Sequence, residues 1–173
     1  MSTYLILTVI GDDRPGLVEE LSTVISAHQG NWREASMSHL AGKFAGIVEV
    51  GIPEARVDAL RNALAAVRDL RITAELASDV VEPRTRHLTL SLVGQDRIGI
   101  VKEVAQVLSR HDVNVEELTT YTSSAPMGSG TLFHADAELR ARAGLDAQAL
   151  KADLERLSDE LIVDVTLDEI VSV

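Results

Sequence analysis

The chain has no cysteine, which excludes disulfides and thiol catalysis and suits a reducing compartment. Aromatic residues make up only 3% of it, and Trp32 and Phe44 read as core or interface residues, not a platform on which bases stack. Basic residues are also scarce, 16 against 27 acids, and the formal net charge is −11. Direct nucleic-acid binding needs a basic face that displaces counterions. Here Lys43, Arg56, Arg61, Arg68, Arg71, Arg84 and Arg86 are scattered among acids, and no helix carries a basic stripe. No apolar run reaches the roughly 18 residues a membrane span needs. Met1-Ser2-Thr3-Tyr4 carries no basic segment and leads straight into a strand-like run, so no signal peptide and a cytoplasmic location are expected.

What remains is ordinary globular composition, 46% apolar and 25% charged over 173 residues, enough for one domain or two small ones. An internal repeat decides between them. The stretch Gly11-Asp12-Asp13-Arg14-Pro15-Gly16-Leu17 lies between an apolar run and a segment of helical periodicity. At an offset of 83 it returns as Gly94-Gln95-Asp96-Arg97-Ile98-Gly99-Ile100. Thirteen positions between Tyr4 and Glu34 are identical at that offset: Leu5, Leu7, Gly11, Asp13, Arg14, Gly16, Val18, Glu20, Val24, Ser26, His28, Asn31 and Glu34. A period this long marks a duplicated domain, not a solenoid.

Each half reads βαββαβ. In the first, Tyr4–Ile10 is apolar on both faces, as in a central strand. Leu17, Leu21, Val24, Ile25 and His28 share a helical face, and Gly30 can end that helix. Trp32–Leu40 is a second strand, Ala41-Gly42 a tight turn, and Phe44–Ile52 a third strand. Pro53 suits the first turn of a helix carrying Val57, Leu60, Leu64 and Val67, and Leu70–Ala77 is the fourth strand. The second half repeats this with strands at Leu88–Val93, Val113–Thr122, Thr131–Leu139 and Ile162–Ile170, helices around Ile100–Leu108 and Leu150–Leu161, and a longer loop, Ser123–Gly130. The expected organisation is α+β: domain 1 over 1–77, a polar linker over 78–86 and domain 2 over 87–173. Each is expected to be an antiparallel sheet with its helices on one face, and the thin cores of such small units suggest that the halves dock together.

The two turns are the candidate sites. A strand-to-helix turn exposes free N–H groups and the positive end of the helix dipole, which favours a carboxylate or phosphate. Asp13 and Asp96 either cap their helices or contact a ligand. Pro15 fits a first-turn position. Gly16 and Gly99 either turn the chain or let a ligand approach the backbone. Asn31 and Asn114 follow their Asp by 18 residues, each either a left-handed helix end or an amide offered to a ligand. Enzyme signatures fail: Leu17-Val18 stands where a phosphate loop needs Lys-Ser/Thr, and Gly128-Ser129-Gly130 is too tight for a nucleophile elbow. His28, His39, His87, His111 and His134 lack metal spacing, and His28 and His111 suit helix C-termini. No metal or cofactor is implied.

The Gly-x-Asp-Arg-Pro-Gly-Leu turn, the Asn 18 residues after its Asp, and the βαββαβ order resemble the ACT domain. Two tandem copies resemble the glycine cleavage system transcriptional repressor family, as do Asn31-Trp32, the run 38–46, Ala125-Pro126-Met127 and Leu132-Phe133-His134. The resemblance implies two ferredoxin-like domains that bind a small amino-acid effector, glycine among the candidates, at an interface between ACT units. It also implies regulation through contact with a transcription activator protein instead of DNA, and it is compatible with a homodimer. Carried over by position, the ligand-binding residues are Asp13, Arg14, Gly16, Leu17 and Asn31, with Asp96, Gly99, Ile100 and Asn114 in the second copy. Ile98 replaces the proline there, and Asp stands where several amino-acid-binding members have Asn, so the second copy is expected to bind differently or not at all.

The competing reading is an enzyme. Acylphosphatases share the βαββαβ layout and use a first-turn Arg and a second-strand Asn, places that Arg14 and Asn31 roughly match. That is analogy of fold. Pro15 interrupts the turn, and Glu19 and Glu20 disfavour a phosphate, so the regulatory reading leads.

Overall fold

The computed structural model describes residues 2–77, 85–126, 130–161 and 163–170. The chain divides into two compact units, Met1–Val80 and Val81–Val173. In unit 1, β1 (Ser2–Asp12), α1 (Leu17–Ala27), β2 (Asn31–Leu40), β3 (Lys43–Pro53), α2 (Val57–Ala65) and β4 (Leu70–Leu76) form an antiparallel sheet in the order β2-β3-β1-β4. Unit 2 repeats it with β5 (Thr85–Gln95), α3 (Ile100–Arg110), β6 (Asn114–Ser124), β7 (Thr131–Arg142), α4 (Ala147–Leu161) and β8 (Val163–Ile170), ordered β6-β7-β5-β8. Both units have the α+β, ferredoxin-like architecture expected.

Period-2 patterning sets which face of the sheet the helices cover. Leu5, Leu7 and Val9 point under the helices and are buried with Val48, Val50 and Ile52 of β3. Leu17, Leu21 and Ile25 of α1 and Val57, Leu60 and Leu64 of α2 complete that core. Tyr4 and Ile10, on the other face of β1, remain well exposed. The strand is central, as its apolar content suggested, yet only one of its faces is covered by the unit's own helices.

Several local expectations change. Pro15 lies before the helix, not in its first turn, because Gly16 is the N-cap and α1 begins at Leu17. Pro53 closes β3 and is followed by a 3-10 turn, Glu54–Arg56, before α2. The left-handed residue that ends α1 is Gln29 (φ 63°), and Asp112 (φ 54°) does the same for α3. Asn31 and Asn114 are therefore first residues of strands, not helix caps. The Ala41-Gly42 turn has positive φ at both positions, 49° and 78°, the twist a two-residue hairpin needs. Of the expected linker, 78–84 lies outside the described residues. Thr85 and Arg86 belong to β5, where they pair with Arg142 and Ala141 of β7. Arg86 also makes a two-pronged ion pair with Glu169 of β8, both contacts 2.7 Å, which extends the strand.

Candidate functional site

The two strand-to-helix turns have the same backbone. Gly16 has φ 91° and Gly99 φ 95°, a conformation that costs an L side chain about 1–2 kcal/mol. A Cβ at Gly16 would meet nothing within 4 Å, so its glycine serves the conformation, and the space above the turn stays open. No side chain caps α1 or α3. The capping alternative for Asp13 and Asp96 therefore fails. A true cap in this chain looks different: Asp146 Oδ1 accepts from the N–H groups of Gln148 and Ala149 at 3.1 and 3.0 Å. At α1 the first intrahelical bond is Glu20 N–H to the Gly16 carbonyl, 2.9 Å. The N–H groups of Leu17, Val18 and Glu19 precede it and face outward from the helix start.

Asp13 continues the β1–β3 ladder through its N–H to the Gly42 carbonyl, 2.9 Å, and its carboxylate lies 3.5 Å from His39 Nε2. Asp13, Arg14, Gly16, Leu17, Val18, Glu19 and Phe44 line an open cleft of ≈ 310 Å³. Leu17 and Ile100 are buried, so their side chains serve the core and only their N–H groups could serve a ligand.

Arg14 has another task. Its Nη2 donates to Glu20 and to Asp69, both at 2.7 Å. The Glu20 hydrogen bond, with Asp69 adding to it, raises the guanidinium pKa. Asp69 is near because the turn before β4 packs onto Gly11, where a Cβ would stand 2.5 Å from the Asp69 carbonyl oxygen. Arg97 repeats the clamp on Glu103, with Nη1–Oε1 at 3.1 Å and Nη2–Oε2 at 2.5 Å, and holds that carboxyl below its usual range. The Arg and Glu shared by both halves thus fasten each turn to its helix.

The structure does not bring Asn31 to the turn. Asn31 stands opposite Gly51, which stands opposite Tyr4, at the end where β1 begins. The turn leaves the other end, beyond the Asp12–Lys43 pair. At about 3.4 Å per residue, the eight steps from Tyr4 to Asp12 alone span about 27 Å. Asn114 is placed alike, opposite Arg140 and in line with His87, far from Asp96 and Gly99. The sequence reading did not assign His39, Glu20 or Asp69 to contacts with the turn residues. Glu20 could have been found, since it recurs as Glu103; His39 and Asp69 have no counterpart in the repeat to mark them.

His28 Nδ1 donates to the Val24 carbonyl of its own helix, 2.9 Å, whereas His111 Nε2 lies 2.9 Å from Asp153 and ties the end of α3 to α4. Among the described residues no group of three or more His, Cys, Asp or Glu could hold a metal ion. Among them, too, no helix is long and apolar enough to cross a membrane.

Comparison with known proteins places this geometry. A sequence model of the ACT domain matches residues 3–76. A protein of unknown function from Galdieria sulphuraria has a solved structure that superposes with a TM-score of 0.85 at 32% identity, covering 99% of this chain and 100% of that one. The structure of a candidate glycine cleavage system transcriptional repressor superposes with a TM-score of 0.71 over 99% of both chains, and at 17% identity it speaks for the fold alone. A UPF0237 protein of Methanopyrus kandleri is 40% identical over 55 residues, spanning 32% of this chain and 61% of that protein. Residues 3–76, nearly all of unit 1, match the ACT domain, and the chain has a two-domain, ACT-like architecture.

Proposed function

We propose that the protein is a non-enzymatic regulator that binds a small amino acid, glycine being the first candidate, at the Asp13–Leu17 turn. The observation that carries this is the cleft beside Gly16, which presents both halves of a zwitterion's complement. Outward N–H groups at the start of α1, aided by the helix dipole, suit a carboxylate. The Asp13 and Glu19 carboxylates on the cleft wall suit an ammonium group. Arg14 supports this reading over an acylphosphatase, because its guanidinium is spent on Glu20 and Asp69 instead of facing a phosphate.

Asn31 fits the same reading only across an interface. β2 is an edge strand, and antiparallel pairing with β2 of a second copy would set Asn31 of one chain beside the Leu40 end of the other, next to its turn. Effector binding at such a seam would couple ligand to quaternary contacts. Those contacts would in turn govern a partner protein, a transcription activator in the reading closest to the repressor family.

Titration calorimetry on the full chain with glycine and the other amino acids tests this. Saturable binding is expected for at least one, weakened about ten- to a hundredfold by Asp13→Ala through loss of a charged hydrogen bond. Asn31→Ala should match that loss, and sedimentation should show a dimer. Binding unaffected by either substitution would reject the site, and loss with Asp13→Ala alone would confine it to one chain.

A further inference from the structure

A second cleft, of ≈ 490 Å³, opens at the same end of unit 1, at the rim of the sheet. It is lined by Ile10, Gly11, Asp12, Lys43, Arg68, Asp69, Leu70 and Arg71. The pleat explains the grouping: Ile10 stands opposite Arg71 and Asp12 opposite Lys43, so these four share one face at the ends of β1, β3 and β4. Arg68 enters from the turn that precedes β4.

The charges in this cleft are not balanced internally. Asp12 is ion-paired with Lys43, and Asp69 is taken by Arg14 at 2.7 Å. The Arg68 and Arg71 side chains have no hydrogen bond or ion pair among the described residues. Two exposed guanidinium groups therefore border one concavity on a chain whose net charge is −11. The fold does not require them. Register puts Leu132 of unit 2 at the place of Lys43, Gln95 at that of Asp12 and Asp164 at that of Arg71. The duplicated half has lost or reversed the charge at each of these positions.

We propose that this corner binds a small oxyanion of phosphate chemistry, either free phosphate or the phosphate group of a metabolite. Paired guanidinium groups present planar, always-charged donors that match tetrahedral oxyanions. The cleft's neighbours Asp12 and Asp69 are already neutralised, so a bound anion meets unspent positive charge. This site is separate from the amino-acid cleft, although Asp69, through Arg14, borders both.

Calorimetry of the full chain at constant ionic strength, with inorganic phosphate in one arm and a nucleoside monophosphate in the other, tests the proposal. Saturable binding is expected in at least one arm, with a rise in melting temperature that grows with ligand concentration. A nucleotide that binds tenfold or more tighter than phosphate would identify a phosphorylated metabolite as the source, and equal affinities would identify the free ion. Arg68→Gln and Arg71→Gln should each weaken binding about tenfold or more while the far-ultraviolet spectrum stays unchanged. Arg56→Gln, an exposed arginine away from the cleft, should leave binding intact. No saturable binding in either arm, or equal binding by the Arg68 and Arg71 variants and the parent, would overturn the proposal. Neither result would bear on the amino-acid cleft, which is probed with a different ligand and different substitutions.

Discussion

The two halves of the chain share a turn but not its surroundings. Asp, Arg, Gly and Glu recur at the same offset, and in both halves Gly takes positive φ while Arg clamps Glu one helical turn on. The surroundings diverge. Glu19 of the first cleft is replaced by Lys102, and Pro15 by the fully exposed Ile98. Beneath α1, Trp32 packs against the core of unit 1. Beneath α3, the register-equivalent Val115 leaves a small apolar cavity of ≈ 50 Å³ lined also by Val101, Val104, Leu118 and Phe133. The difference teaches that the repeated residues hold the scaffold, and the unrepeated ones set the shape and charge around it. A repeated residue such as Arg14, which looks like a ligand contact in sequence, turns out to be a fastener.

The largest effect should come from erasing the packing difference. Trp32→Val gives unit 1 the residue that unit 2 carries, and it should cost about 2–4 kcal/mol of unit 1 stability, read by calorimetric unfolding. The value should fall toward the lower end because the indole is only partly buried. An unchanged transition would mean that Trp32 contributes nothing to the core and that the cavity difference is incidental.

Acid should separate the halves next. In unit 2, Arg97 holds Glu103 below its ordinary value of 4.5, Arg86 does the same for Glu169, and His111 holds Asp153 below 3.8. In unit 1 only Asp12, beside Lys43, is lowered among the described carboxylates. A carboxyl depressed in the folded state contributes stability above its unfolded pKa and loses it as pH falls through the folded one. Below about pH 4.5, unit 2 should therefore lose stability faster than unit 1. Trp32, the chain's single tryptophan, reports unit 1 by fluorescence, and far-ultraviolet circular dichroism reports both. The two probes should diverge on acidification; coincident curves at every pH would contradict the assignment.

Much of this fold was legible because the repeat and the periodicities are local properties. Alternation at Leu5, Leu7 and Val9 and the i, i+4 spacing of Leu17, Leu21 and Ile25 need no partner to be read. Asn31 does not lie beside Asp13 of its own unit because sequence spacing is not spatial spacing. A strand carries the chain to the turn, an 11-residue helix carries it back, and β2 must begin where β1 began. The clefts were less legible still. Phe44, Asp69 and Arg71 reach them from β3, β4 and the turn before it, and only strand register, which no local pattern states, brings these residues beside β1.

The smallest effect concerns the one substitution inside the shared turn. In unit 1 the Arg14 Nη1 donates to the Pro15 carbonyl at 3.5 Å, and in unit 2 the Arg97 Nη1 donates to the Ile98 carbonyl at 3.3 Å. The Arg-to-carbonyl contacts repeat, and the following glycines agree within a few degrees, 91° and 95°, so the two turns follow the same course and a proline at 98 is expected to fit. Ile98 is wholly exposed, so its side chain has no packing to lose. Replacing it with proline should then act on the unfolded chain, by removing conformations that folding would otherwise have to give up. Such a change stabilises by about 0.4–1 kcal/mol where the native backbone accepts the ring. Ile98→Pro should raise the midpoint of unit 2 by that amount, and Pro15→Ile should lower that of unit 1 by a similar one, both measured by denaturant unfolding. Destabilisation by Ile98→Pro would show that the second turn is not the backbone copy of the first, and with it the comparison of the two halves would lose its basis.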